Sequence, residues 1–253
     1  MILWLTYWYP DDQNPIRGNF IRAQWLAAKA AGADCEMLFV DMASGPKVLE
    51  VNWERGNQGE YILKVRSRMW KTLYHTPIWA ANLIAKKWTK KTGLPLPVAL
   101  HAQVVFPAGL LAEQLGRRWN VPYAITEHWS KAGRWTKHKL FGKRVRTAYQ
   151  FASAIHPVSE HLKAELQSAL PAIGASRFQV ISNACDLSRF PHVPKTLPPE
   201  ATKVSLLGVA SLIPANARIK RVDLVLEALA ELRRLHPEVD WTYRHVGEGG
   251  RLQ

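Results

Sequence analysis

His245-Val246-Gly247-Glu248-Gly249-Gly250 stands three residues short of the end of the 253-residue sequence. It follows the apolar run Leu206-Leu207-Gly208-Val209-Ala210-Ser211 and the amphipathic run Arg221 to Leu235. A strand, a helix, a second strand and a glycine-rich turn open a nucleotide-binding α/β unit. The helix that such a turn leads into has no counterpart in the residues that remain. The chain therefore reads as a two-domain α/β protein with only the first part of its second domain.

Working back from that stretch, Pro191 to Pro199 is polar and holds Pro191, Pro194, Pro198 and Pro199, the best linker in the chain. The domain boundary is expected within 190–202, giving domains over 1–195 and 196–253. Upstream, strand and helix alternate. Strands are expected at Ile2–Trp8, Cys35–Val40, Val98–Ala102, Tyr123–Thr126, Ala154–Pro157 and Phe178–Ile181. Helices are expected at Asn19–Ala31, Thr72–Lys91, Gly109–Trp119, Lys139–Phe151 and Glu160–Leu170. Arg55-Gly56-Asn57-Gln58-Gly59 separates two alternating runs within Val48–Arg66 and predicts a hairpin. Ser159 is placed to cap the helix that begins at Glu160.

Composition narrows the class. At 47% hydrophobic residues the chain can bury a sizeable core. No run approaches the roughly 18 apolar residues of a spanning helix. The apolar start, Met1 to Pro10, has no basic leader and reads as a buried first strand instead of a signal peptide. Cys35 and Cys185 lack metal-ligand spacing and form no disulfide framework, which favours a reducing, cytoplasmic setting.

The net charge of +14 is clustered. No acid occurs from Tyr61 to Ala112 or from His128 to Ser159, while lysine and arginine recur in both stretches beside Trp70, Trp79, Trp88, Trp129 and Trp135. Cations next to amphipathic aromatics suit an anionic membrane surface. The same pattern fits nucleic acid, which is the less expected partner, or a solvated basic face over core tryptophans.

In doubly wound sheets the chemistry gathers just past the strands' carboxyl ends. The first such loop brings Gly18 and Asn19 to a helix start, where a glycine and free N–H groups can meet an anion or serve as a plain turn. The next two bring His101, then Glu127 and His128; a strand alternates its faces, so only one of the last pair faces the cleft. Asn183 follows the last first-domain strand. In the second domain Arg218, Lys220 and Arg221 precede a helix whose N-terminus disfavours cations unless an anion lies between them. Gly247 and Gly249 let backbone approach a diphosphate.

In this order, Thr126-Glu127-His128, Ala154 to Ser159, Val180 to Asp186, Val209 to Ile213, Lys220 to Leu224 and Val246 to Gly249 resemble glycosyltransferase family 4, the GT-B fold of two facing Rossmann-like domains. The resemblance implies a retaining transferase that moves a sugar from a nucleotide-sugar donor to a hydroxyl acceptor. It implies that neither a cofactor nor a metal is required. Lys220 and His128 are implied as catalytic. Gly18, Ser211, Arg218, Lys220, Gly247, Glu248 and Gly249 would hold the donor and its phosphates. Asn19, His101, Glu127 and Asn183 would lie on the acceptor side. The family usually has arginine where Ser211 stands, and glycine where Arg221 and Ala184 stand. Its glutamate pair beyond the glycine-rich turn would fall past Gln253, so weak or absent activity is expected of this chain alone.

Partners implied are a nucleotide sugar and a glycan or lipid-linked acceptor, in cell-surface polysaccharide or glycolipid synthesis, and the basic segments add the expectation of attachment to the anionic inner face of a membrane. Two alternatives stay open: an inactive basic domain that binds an anionic membrane or a partner protein, and a GT-B sugar-nucleotide epimerase. A dinucleotide oxidoreductase is disfavoured, because no G-x-G-x-x-G follows the first strand.

Overall fold

A computed structural model describes residues 1–11, 14–185, 203–212, 219–247 and 249. The chain divides into two units, Met1–Arg189 and Phe190–Gln253. The expected linker over 190–202, Arg218 and Glu248 lie outside the described residues.

The first unit is built on one seven-stranded sheet. Its strands are β1 (Ile2–Thr6), β2 (Cys35–Ala43), β3 (Glu50–Arg55), β4 (Tyr61–Arg66), β5 (Ala99–Gln103), β6 (Tyr123–Glu127) and β7 (Ala154–Pro157), in the order β3-β4-β2-β1-β5-β6-β7. All neighbours run parallel except β3, which pairs antiparallel with β4 as the expected hairpin. The chain steps from β1 to β2 on one side and later to β5 on the other. That reversal opens a crevice at the carboxyl ends of β1 and β5.

Helices α1 (Asn19–Ala30), α2 (Trp70–His75), α3 (Ile78–Thr92), α4 (Leu110–Trp119), α5 (Ala132–Trp135), α6 (Gly142–Phe151) and α7 (Glu160–Ala169) complete the unit. Alternation along the strands sorts the core. Leu3, Leu5, Leu38, Val40, Leu100, Ala102, Ile125 and Ile155 pack with Ile84 and Trp88 of α3, Leu111 and Leu115 of α4 and Val145 of α6. Trp4, Met37 and Phe39 point to the opposite face and pack with Ile21 and Trp25 of α1. A parallel sheet needs cover on both faces, and the strands carry apolar residues of both parities to supply it.

The expected helix over Thr72–Lys91 is two helices. Pro77 supplies no N–H and pushes the residue before it out of the helical region, and Thr76 sits at φ −127°, ψ 71°. The helix expected from Lys139 begins at Gly142, whose N–H bonds to the His138 carbonyl at 2.7 Å. Phe178–Ile181 is not a full strand. Its amides still donate to β7, Gln179 to Ile155 O at 3.0 Å and Ile181 to Pro157 O at 3.1 Å. Ser159 caps α7 as expected, accepting from the Leu162 amide at 3.2 Å.

The basic stretches separate onto two ends of the sheet. Lys86, Lys87, Lys90 and Lys91 are exposed toward the C-terminus of α3, at the amino edge, where Tyr61 at the start of β4 donates to the Thr92 carbonyl at 3.3 Å. The cations of 131–144 lie at the carboxyl edge, between β6 and the body of α6. Trp88 is fully buried and belongs to the core. Among the described residues no helix is long and apolar enough to cross a membrane.

In the second unit β8 (Lys203–Val209) pairs in parallel with β9 (Asp240–Val246), joined through α8 (Val222–Leu235). None of its described residues is buried; Leu207 and Val209 are 66% and 73% exposed.

Candidate functional site

Register places a row of polar side chains on the α1 face of the sheet at the carboxyl edge. Thr6 is two residues on from Trp4, which is level with His101; Gln103 is level with Thr126, and Thr126 with His156. All share one parity, so all point to one side. His128 follows β6 and takes the row beyond the strand.

Four of these groups, His101, Gln103, Thr126 and His128, form a chain of hydrogen bonds. The Thr126 hydroxyl lies 2.6 Å from His101 Nε2, and Gln103 Nε2 lies 3.4 Å from the same nitrogen. His128 Nε2 lies 2.9 Å from Gln103 Oε1. One assignment satisfies the set: Thr126 and Gln103 donate to the lone pair of His101 Nε2, and His128 donates from Nε2–H to the Gln103 carbonyl oxygen. Gln103 and Thr126 are almost wholly buried. From α1, Gln24 Nε2 donates to Asn183 Oδ1 at 3.0 Å, and Phe20 packs on the His128 ring at 4.7 Å. Helix α1 thus ties the Asn183 segment to the edge that carries His128.

Burial keeps these imidazoles uncharged. It pushes His101 down to about 3, with His156 and His128 adding to the effect, and His128 down to about 4 against an opposing contribution from Asn183. His156 is lowered by burial as well. A neutral imidazole offers one donor and one acceptor and no cation. The cluster is suited to hydroxyl groups, and a diphosphate would need its counter-charge from elsewhere.

Gly18 is the N-cap of α1 at φ 64°, where a side chain would also run into the Trp8 carbonyl. The turn must bring backbone against backbone, and glycine permits it. Asn19 beside it is exposed. The structure therefore gathers Gly18, Asn19, His128 and Asn183 along one edge, with His101 beneath them against Trp4 (ring centroids 4.4 Å apart).

Glu127 is placed otherwise than the sequence suggested. Its side chain is fully buried on the opposite face. Oε2 accepts from the Val105 amide at 3.0 Å and the Tyr149 hydroxyl at 2.8 Å, and Oε1 from the Trp129 amide at 3.0 Å. Burial raises its carboxyl to about 7 against those donors. It joins β6 to α6 and to the loops at Val105 and Trp129, a positioning role inside the fold.

In the second unit, Ser211 and Gly247 follow adjacent parallel strands. The Ala210 amide donates to Val246 O at 3.1 Å, and His245 Nε2 bonds to the Ala210 carbonyl at 2.9 Å. A side chain at Gly247 would collide with that carbonyl. Lys220 is exposed just ahead of α8, and Arg221 pairs with Asp223 at 3.4 Å. Among the described residues no three histidine, cysteine, aspartate or glutamate side chains form a metal site.

Two Rossmann-like units in succession, with the polar groups of the first gathered at its carboxyl edge, define a GT-B type protein. The sequence profile of Glycosyltransferase Family 4 matches residues 26–189, more than half of the chain, and the chain belongs to that family. The fold resembles a trehalose-6-phosphate synthase, OtsA, at 12% identity and TM-score 0.64, over 99% of this chain and 65% of that one. It also resembles the Anabaena protein Alr3699/HepE, solved with UDP and glucose, at 14% identity and TM-score 0.57, over 98% of this chain and 61% of that one. A trehalose-6-phosphate synthase studied for glycosyl transfer with retention matches at 14% identity and TM-score 0.57, over 99% of this chain and 64% of its own. The chain thus spans a little under two thirds of the length of these structures. No curated protein matches the sequence significantly.

Gln103 and Thr126 hold the histidine cluster together, and the sequence alone assigned them no role. The available signal was parity: polar residues at every second position of otherwise apolar strands. Which of them meet depends on strand register.

Proposed function

We propose that this chain carries the acceptor side and the start of the donor side of a retaining glycosyltransferase, moving a sugar from a nucleotide sugar to a hydroxyl acceptor in polysaccharide or glycolipid synthesis. The observation that carries the reading is the hydrogen-bonded row of partly buried imidazoles at the carboxyl edge of a family 4 domain. Uncharged histidine recognises hydroxyls without attracting a competing anion. His128, at the rim of the row, is the proposed sugar-facing group, and Gly18 and Asn19 offer it a backbone turn and an amide. Lys220, with Arg218, is proposed to face the diphosphate, where a cation stabilises the charge that develops on the leaving group. Ser211, Gly247 and Gly249 would border the nucleotide. The reaction as proposed requires no metal.

The test offers a panel of nucleotide sugars with alcohol and glycolipid acceptors and reads both transfer and binding. The reading expects low turnover from the 253 residues alone, product of retained anomeric configuration, and donor-dependent shifts of the Lys220 and Gly247 amides in nuclear magnetic resonance spectra. A panel in which no sugar nucleotide moves those amides overturns it. Epimerised donor without transfer would assign the chain to sugar-nucleotide epimerisation instead.

A further inference from the structure

We infer that the carboxyl edge of the first unit carries a lip that docks on an anionic phospholipid bilayer. It is formed by α2 and the turn between α5 and α6. Two apolar side chains protrude from it, Met69 at 53% and Leu140 at 77% exposure. Around them stand Arg68, Lys71, Lys137, Lys139, Lys143 and Arg144, all exposed. Among the described residues none of these six pairs with a carboxylate.

The end of α2 meets the turn, while its start lies beside Lys47, whose carbonyl accepts from the Arg68 amide at 2.9 Å. His75 at the end of α2 stacks on Phe141 at 5.2 Å and on Phe106 at 5.5 Å, and Phe106 stacks on Trp135 at 4.2 Å. The Leu140 turn is held from within. The Leu140 and Phe141 amides donate to His138 Nδ1 at 3.2 and 3.3 Å, and the Thr136 hydroxyl donates to the Gly133 carbonyl at 2.7 Å. A built turn that holds a leucine out in water between lysines has the form of an interfacial anchor: apolar tips enter the headgroup boundary and cations meet the phosphates.

Position separates this patch from the other lysine cluster. Lys90 and Lys91 occupy the last turn of α3, where the helix dipole favours cations, so local structure accounts for them. Lys143 and Arg144 occupy the first turn of α6, which has no acidic residue. Cations there are disfavoured unless an anion covers them. A bilayer supplies that charge as a plane wide enough to reach α2 as well. It also lies at the edge that carries His128, where a membrane-borne hydroxyl would be delivered.

The experiment is co-sedimentation of the whole chain with vesicles of phosphatidylcholine alone, and of two parts phosphatidylcholine to one part phosphatidylglycerol. Binding is expected only to the anionic vesicles and is expected to weaken with salt. At about 1 kcal/mol per cation near the surface, about fivefold in affinity, K137Q/K139Q/K143Q loses roughly a hundredfold. K86Q/K87Q/K90Q/K91Q, which removes more charge from the amino edge, loses less than about fivefold. Leu140→Ser weakens binding at unchanged charge, and circular dichroism checks that each variant folds.

Equal loss in the two lysine variants, or equal binding to both vesicle types, overturns the proposal. Tighter capture of a single-stranded oligonucleotide than of anionic vesicles, abolished by the same triple variant, also overturns it and assigns the lip to nucleic acid. No sugar donor enters the assay, so its failure leaves the transferase reading standing, and the reverse holds.

Discussion

Glu127→Gln separates two consequences of burying a carboxyl group among donors. Four donors reach Glu127: the Val105, His128 and Trp129 amides and the Tyr149 hydroxyl. A glutamine keeps one acceptor oxygen and turns an NH2 toward a backbone N–H. One buried donor is orphaned, which costs about 1–3 kcal/mol. Against this, the native carboxyl titrates from 4.5 in the unfolded chain to about 7 in the fold. The sign follows from the raised value. Below 4.5 both states are protonated and the group's contribution is fully present; as pH rises through about 7 the folded carboxyl is forced to ionise in place, and that contribution is lost. At about 1.4 kcal/mol per pH unit the loss is about 3–4 kcal/mol.

Glutamine does not titrate. The variant should therefore be less stable than the native chain by about 2 kcal/mol near pH 4.5 and more stable than it by about 1–2 kcal/mol well above 7. Urea unfolding of both proteins across that range measures the difference, in which the histidines cancel. A penalty that stays flat, or that grows with pH, would show that the carboxylate is ionised in the fold throughout. Desolvation would then not be the dominant influence on it.

Two further outcomes follow from the same region. His101 and His128 are held down to about 3 and about 4, so the unfolded chain binds more protons than the fold from about 6.5 downward. Stability should fall as pH drops through that window, most steeply in the Glu127→Gln background, where the opposing carboxyl is gone; His128→Asn should flatten the curve, and an unchanged slope would contradict the depressed value. Gly18→Ala combines φ 64° with a clash against the Trp8 carbonyl and should cost more than about 2 kcal/mol, whereas Gly32→Ala, at φ 86° in open space, should cost about 1 in the same melts.

Much of the fold is legible because its signals are local. Asn19–Ala31 reads as a helix from the spacing of Ile21 and Trp25 and is one over Asn19–Ala30, and the β3–β4 hairpin reads from its Gly-Asn-Gln-Gly turn. The one long helix that failed did so at Pro77, a local signal that the amphipathic run obscured. The strand expected at Phe178–Ile181 is only partly realised, because its pairing to β7 depends on a distant partner. The placement of His101 and His128 at strand ends was legible, and the groups that support them were not. Gln103 and Thr126 are neighbours only because β5 and β6 pair at one register.

The sequence by itself determined the alternation of strand and helix, the family and the clustering of positive charge, since each is a property of residues near one another along the chain. The tertiary structure alone decided where those residues act. It turned Glu127 inward and left His128 at the rim, because adjacent residues at the end of a strand face opposite sides of the sheet. It divided one basic composition into a lysine cluster answered by a helix dipole and a second cluster, beside Leu140, that no carboxylate among the described residues pairs with. Charge and polarity are carried by single residues, but burial and partnership belong to the packed chain.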